Sequence, residues 1–474
     1  MRRLALIPWI APVLAAACGG SSSGTADGGA DGGSTGPAAS AGAPVDDAGP
    51  DAAREAGARP PATTAVVWSK CFAAWGGGDD VHVTIDADHN VVLAGMFSGT
   101  ANFGGDVLTS ASGLDIFVVK LDPTGKHLWS KRFGGPSDQL AKDVAVDASG
   151  AVVVGGLYYH TIDFGGGPLP EVGGTLTWYV AKLDPSGGYV FAQQPEPGVG
   201  SVAGVAADPS GNVVVVGTRD TTAYVGSFEP LGKLRWSSTF PGASARLVAS
   251  DGAGRLVVSG ILRGSANFGG DDLFGGGGND VFLAQFDQGG KHQWSERFGD
   301  DADQSPSALA VREDGAIAIG GEFAGGLDFG RGRVAASGLG DVFVARFDAS
   351  GKNVSSRAFG NVDVEGDAPL FGGLGLEADA EIVFGGALTG AVDFGGGAEE
   401  AVTSGAYLVE LDEADGYRWS KTFGDARYQI AADVAVDASG DWVVAMDVGQ
   451  ATDFGTGTGP IGAAREICAA KFHR

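Results

Sequence analysis

Basic residues are scarce in this chain. Its 474 residues hold 31 Lys and Arg against 58 Asp and Glu, a formal net charge of −27. Such a surface repels a phosphate backbone, which excludes nucleic acid as a partner and leaves cations, basic proteins and neutral glycans. Histidine is scarce as well. The six copies (82, 89, 127, 160, 292 and 473) show no paired ligand spacing, and His127 and His292 recur at one repeat position, as exposed strand residues would. Cysteine is limited to Cys18, Cys71 and Cys468. No helical hydrophobic period is visible, and beyond the N-terminus no apolar run is long enough to cross a bilayer. Without a helix to open, the Gly-rich GVGSVAG at 198–204 reads as a turn, not a phosphate loop. Glycine is the opposite case: 83 copies are more than twice the usual share of roughly 7%. Gly that dense, without a three-residue period, means disorder or many tight turns, and both occur.

The first residues, MRRLALIPWIAPVLAAAC, set Arg2 and Arg3 before an apolar run broken by Pro8 and Pro12, then small residues ending at Cys18. This resembles a bacterial lipoprotein signal peptide, whose lipobox places small residues ahead of the Cys that receives lipid. Ala15, Ala16 and Ala17 hold those positions, although Leu is commoner where Ala15 stands. An ordinary secretory signal cleaved nearby is the alternative. The resemblance implies removal of residues 1–17 and a lipid on Cys18. It implies export to the cell envelope, at the outer membrane and facing periplasm or cell surface, with membrane contact only through the lipid. Residues 18–62 are almost wholly Gly, Ala, Ser, Asp, Pro and Thr, with no aromatic. They cannot bury enough apolar surface to offset their ordering entropy and read as a disordered tether with a reach of about 35–40 Å.

Residues 63–474 repeat. DVAVDASG occurs at 143–150 and again at 433–440. Trp68, Trp129, Phe191, Trp236, Trp294, Ser355 and Trp419 head seven segments, five of them opening with Trp-Ser. Each segment carries two hairpins of period-two apolar patterning, such as DVAVDASGAVVVGG (143–156) and DIFVVKLDPTGKHLW (115–129). In Asp122-Pro123-Thr124-Gly125, Pro presets the second turn position and Gly accepts a left-handed backbone at the fourth, a type I turn with a Gly bulge. Four strands per segment, seven times over, predict an all-β, seven-bladed propeller. The repeats resemble the bacterial β-propeller repeat called SBBP, whose members carry D-x-F-V-A-K-L-D-P-S-G-x-x-x-W and A-V-D-x-x-G-x-x-x-x-G. That family is known mainly as a scaffold. The third segment departs from the pattern, running from VVVVG (213–217) almost directly into YVGSFEPLG (224–232). The sixth is degraded at Ser355 and around Phe371-Gly372-Gly373.

Strand order puts both tight turns on one face, and the excursions and blade-to-blade crossings on the other. The second face has the longer loops and is the expected binding surface. Six excursions carry Asn102-Phe103, Asp163-Phe164, Asn267-Phe268, Asp328-Phe329, Asp393-Phe394 or Asp453-Phe454, each followed by Gly. One reading is a ring of groups for cations or sugar hydroxyls; the other, favoured by its recurrence, is an Asx turn with Phe plugging between blades. Asp138-Gln139 and Asp303-Gln304 stand at matched crossings, where solvated loop residues are expected. GGGGNDVFL (275–283) matches a calcium-binding nonapeptide, but that motif works by stacking turns and occurs once. Calcium is the sole cofactor left open. DASGDW (437–442) lacks the spacing of a sialidase Asp box.

The expected function is non-catalytic binding at the envelope by a monomer, to a glycan or envelope protein. One alternative is an envelope-assembly scaffold lipoprotein. Another is a propeller enzyme such as a lyase or quinoprotein, whose signature would be one unrepeated catalytic cluster. At the chain's end EICAAKFHR (466–474) matches a third strand, and AVVWSKCF (65–72) is a fourth strand without a blade. Pairing them closes the ring and removes open edges. Cys71 and Cys468 then fall on neighbouring strands, either opposite or one step out of register. A disulfide needs their α-carbons within about 7 Å; two buried thiols are the alternative.

Overall fold

The computed structural model describes residues 65–74, 81–196, 200–219, 221–337, 340–360, 369–423, 429–449, 454 and 466–473. The signal peptide, Cys18, the tether and Asp453 lie outside the described residues. Among the described residues all regular elements are strands, and they form seven four-stranded antiparallel sheets. Blade 1 runs outward through Val81–Ile85, Val91–Phe97, Asp115–Leu121 and His127–Phe133. Blades 2 to 6 begin with inner strands Gln139–Val146, Ser201–Ala207, Ala243–Ser250, Gln304–Val311 and Leu370–Leu376. In blade 7, Gln429–Val436, Trp442–Val448 and Glu466–His473 are completed by the N-terminal strand Ala65–Phe72. The chain is a seven-bladed propeller closed by its two ends. Cys71 pairs directly with Cys468, with α-carbons 4.0 Å apart and the sulfurs bonded.

Period-two patterning belongs to the inner and outer strands. The second and third strands, such as Val152–Tyr158 and Asp115–Leu121, are buried at every position because neighbouring blades cover both their faces. The turns use local chemistry. In Asp147-Ala148-Ser149-Gly150, the Asp147 carboxylate accepts the N–H groups of Ser149 and Ala151 and the Ser149 hydroxyl, and Gly150 sits at φ 80°.

The Trp and the D-P-x-G turn that mark the repeat meet across the seams. Trp68 Nε1 donates to the carbonyl of Pro123 in the next blade, Trp129 to Pro185, and Trp236 to Gln288. The turn glycine lies under the ring: a Cβ on Gly125 would stand 2.8 Å from Trp68. Where blade 5 carries Ser355 instead of Trp, blade 6 carries Asp415 instead of Gly, at φ 62°. Buried Arg346 of blade 5 reaches that residue, with Nε 2.5 Å from Asp415 Oδ1. It also donates to the carbonyls of Asp412 and Ala380.

Candidate functional site

The excursions fold back into the seams. The Asx side chain accepts the N–H two residues on in each case: Asn102 from Gly104, Asp163 from Gly165, Asn267 from Gly269, Asp328 from Gly330 and Asp393 from Gly395. The Phe that follows is buried against the outer-strand Phe of the preceding blade. Ring centroids are 5.2 Å apart for Phe103 and Phe72, 4.7 Å for Phe164 and Phe133, and 5.0 Å for Phe329 and Phe298. The glycines after it lie beneath the first residue of their own outer strand. A Cβ on Gly105 would meet the His127 ring at 2.3 Å, and one on Gly270 that of His292 at 2.5 Å. His127 and His292 are therefore half-covered lids over the loop rather than exposed strand residues. The gap between blades widens toward the perimeter, and each excursion fills it. Blade 3 has no such hairpin, and there Trp178 sits 4.9 Å from Tyr224 to fill the seam. This is the Asx turn with Phe plugging between blades that the recurrence favoured, so the excursions are wedges and not projecting loops. Asp163, Asp328 and Asp393 stay exposed, each with one oxygen committed to its turn.

At the crossings Asp303 is exposed and Asp138 half-buried, but the glutamines beside them are not solvated. Gln139 and Gln304 are completely buried, as is Gln429 at the same place in blade 7. Gln139 accepts the N–H of Gly135, while Gln304 donates to Asp300 and to the Ala324 carbonyl. Asp138 and Asp303 each accept a backbone N–H from the preceding blade, at Leu114 and Asn279. The Gln139 and Gln304 side chains thus brace the crossing and their own blade, while the backbone N–H of each donates to the preceding blade at the Leu114 and Asn279 carbonyls. Asp280, the acid of the nonapeptide-like stretch, is buried with its oxygens taken by Arg297 and the Gly276 N–H.

The residues that sequence reasoning missed lie at the axis. Asp143 and Asp433, the first letters of the two DVAVDASG copies, each accept two N–H groups. One comes from the next residue, Val144 or Val434. The other comes from the inner strand of the next blade, Val205 or Val83. Burial pushes both carboxyls up to about 7, and repulsion from Asp433 adds to the shift of Asp143. His82 holds the same repeat position in blade 1, between them. Elsewhere on the axis Glu322 accepts from the Phe371 N–H and the Ser307 hydroxyl, and Arg246 donates to Ser305. A signal existed: an Asp inside a strand has to satisfy its oxygens somewhere.

The second Asp of the motif serves the turn face. Asp86, Asp147 and Asp437 pair with Lys120, Lys182 and Lys471 at 2.7, 2.8 and 3.3 Å, all buried. Burial opposes ionisation of these acids, but the ammonium groups and turn hydrogen bonds outweigh it and hold them below the usual carboxylate range. In blade 6 the corresponding positions are Glu377 and Glu410. With Glu381 they bring three buried carboxylates within 4.8 Å, a set able to ligate a hard cation. Arg418 supplies positive charge there, 2.7 Å from Glu381 and 3.5 Å from Glu410.

Fold and site together define a β-propeller whose repeated polar residues hold blade to blade. No family model matches the chain. It is similar to an uncharacterized WD repeat-containing protein, L264, of Acanthamoeba polyphaga mimivirus, 24% identical over 157 residues. That match covers 29% of this chain and only 11% of the relative's length. Among solved structures it is similar to the Dos1 propeller, at 11% identity and a TM-score of 0.43, covering 84% of this chain and 94% of that one. A protein of unknown function from Bacteroides caccae matches at 11% identity and a TM-score of 0.34, covering 69% and 93%.

Proposed function

We propose that residues 63–474 are a non-catalytic binding or interaction scaffold of the cell envelope, displayed as a lipoprotein, with a glycan or envelope protein as ligand. The observation that carries this reading is the commitment of the recurring polar groups. Asx, Gln and axial Asp side chains all spend hydrogen bonds on backbone within or between blades. What varies from blade to blade is then the perimeter, which suits recognition more than chemistry. The lipobox at Cys18 and the SBBP resemblance support display at the envelope. An assembly scaffold would use the same surface. Glycan-array and envelope pull-down screening of the mature chain tests the reading, and retention of neither class of ligand would overturn it. Anchoring is tested separately: Cys18→Ser should release the protein from membranes, and unchanged membrane association with no lipid on the mature N-terminus would sink that part.

A further inference from the structure

On the perimeter between blades 3 and 4 lies an open groove of about 520 Å³. Ser238 and Thr239 form one wall, Asn267, Gly290, Lys291 and His292 the other, and Phe240 and Phe268 lie beneath. The groove exists because blade 3 departs from its siblings at one position. The residue two after the Trp site is Lys70, Lys131, Gln193, Glu296, Arg357 or Lys421 in the other blades, and Ser238 here. In four of those seams the long side chain reaches the outer turn of the next blade. Added Cβ atoms on Gly125 and Gly187 would stand 3.1 and 3.0 Å from Lys70 Cε and Lys131 Cε. Gln193 donates to the Gly232 carbonyl and Arg357 to that of Asp415. Ser238 is too short to make the equivalent reach to Gly290, so a groove remains outside the Phe268 plug.

What lines the opening is specific. The hydroxyls of Ser238 and Thr239 have no hydrogen-bond partner among the described residues. His292 engages Ser295 through Nε2, which leaves Nδ1 for a ligand. Burial lowers its pKa, so at neutral pH the ring is an uncharged hydrogen-bonding group. Beneath them the Phe240 and Phe268 rings are 5.0 Å apart and form an apolar floor. No carboxylate lines the groove, which argues against a cation. Hydroxyl, amide and imidazole groups over an aromatic floor, with exposed Lys291 as the one charged lining residue, in a volume within the usual range of ligand pockets, match a pyranose with its hydroxyl edge and C–H face.

We propose that the groove between blades 3 and 4 is a glycan-binding site that takes one pyranose unit of a neutral glycan. This rests on the binding-scaffold reading and gives it a place. Ser238→Lys tests it, because the variant imports the residue that blades 1, 6 and 7 already carry and should fill the groove as Lys131 does. The full chain is titrated with neutral hexose and N-acetylhexosamine oligosaccharides drawn from an array. Ser238→Lys should weaken binding by about tenfold or more, equivalent to about 1.4 kcal/mol or more, with an unchanged thermal midpoint. Thr239→Val, which removes a hydroxyl and keeps the shape, should weaken it too and covers the case of a misfolded lysine variant. Unchanged affinity in both variants overturns the site while leaving the scaffold reading intact. Capture of envelope proteins with no retention of any neutral glycan overturns the ligand class. Retention of neither overturns both.

Discussion

Removing one wedge should loosen a seam of the ring. Phe103 is 1% exposed, with its ring centroid 5.2 Å from Phe72 of blade 7 and 4.7 Å from Phe117 of its own blade. Nothing on the neighbouring strands can swing in to replace it, since both rings are themselves buried in sheet positions. Phe103→Ala should therefore cost about 3–5 kcal/mol, the range for a buried Phe whose cavity does not collapse. With an unfolding entropy of about 2.1 cal/mol/K per residue over roughly 400 ordered residues, that lowers the midpoint by about 4–6 °C. Deleting the whole excursion, residues 98–112, should cost at least as much. The apparent precedent of blade 3 is no precedent, because Trp178 occupies that seam. Calorimetric scans of the parent, Phe103→Ala, the deletion and Trp178→Ala provide the assay. A shift under about 1 °C for Phe103→Ala, or a silent Trp178→Ala, would refute the wedge argument.

Three further outcomes follow from other parts of the ring. Opening the Cys71–Cys468 bond, which spans 397 residues, should remove about 6 kcal/mol in the chain-entropy account. Non-reducing peptide mapping must first find no free thiol at either position. The raised carboxyls of Asp143 and Asp433 bind protons more tightly folded than unfolded. Their contribution is full below the unfolded pKa of about 4 and is lost as pH rises through about 7, up to about 4 kcal/mol each. Replacing both with Asn should flatten that fall in urea midpoints, and an unaltered pH slope would reject the assignment. Arg346→Met should cost about 3–5 kcal/mol by leaving buried Asp415 without its cation. Adding Asp415→Gly should recover part of it, and strict additivity in the double-mutant cycle would show the two residues uncoupled.

The architecture was legible because its signals are local and repeated. Turns such as Asp147–Gly150 and strands such as Val152–Tyr158 carry their own instructions, and seven copies average out the defects. Ring closure was legible for a different reason: a third strand without a fourth, and a fourth without a blade. The inward fold of the excursions was legible in the recurrence of the Asx-Phe-Gly mark, whereas loop length says only where a segment leaves a sheet, not which way it turns. The Phe after each Asx carries that information, and its partners (Phe72 for Phe103) sit on another blade. Gln139 and Gln304 looked like loop residues because burial of a polar side chain depends on a neighbour the local sequence does not name. Ser355 read as isolated decay of the repeat, yet it and Asp415 are two halves of one seam.

The closure also determines how the domain would bear a load. A pull on the chain ahead of Ala65 falls first on the outermost strand of blade 7, which could be peeled from its partner one hydrogen-bonded pair at a time. The pairing runs from Ala65 opposite His473 to Cys71 opposite Cys468. Unzipping would stop at that bond, after which tension passes sideways into Glu466–His473 and from there into Trp442–Val448. Further extension would require shearing the middle of a four-stranded sheet. The ring is thus fastened most firmly at the one blade where the covalent chain does not hold it together.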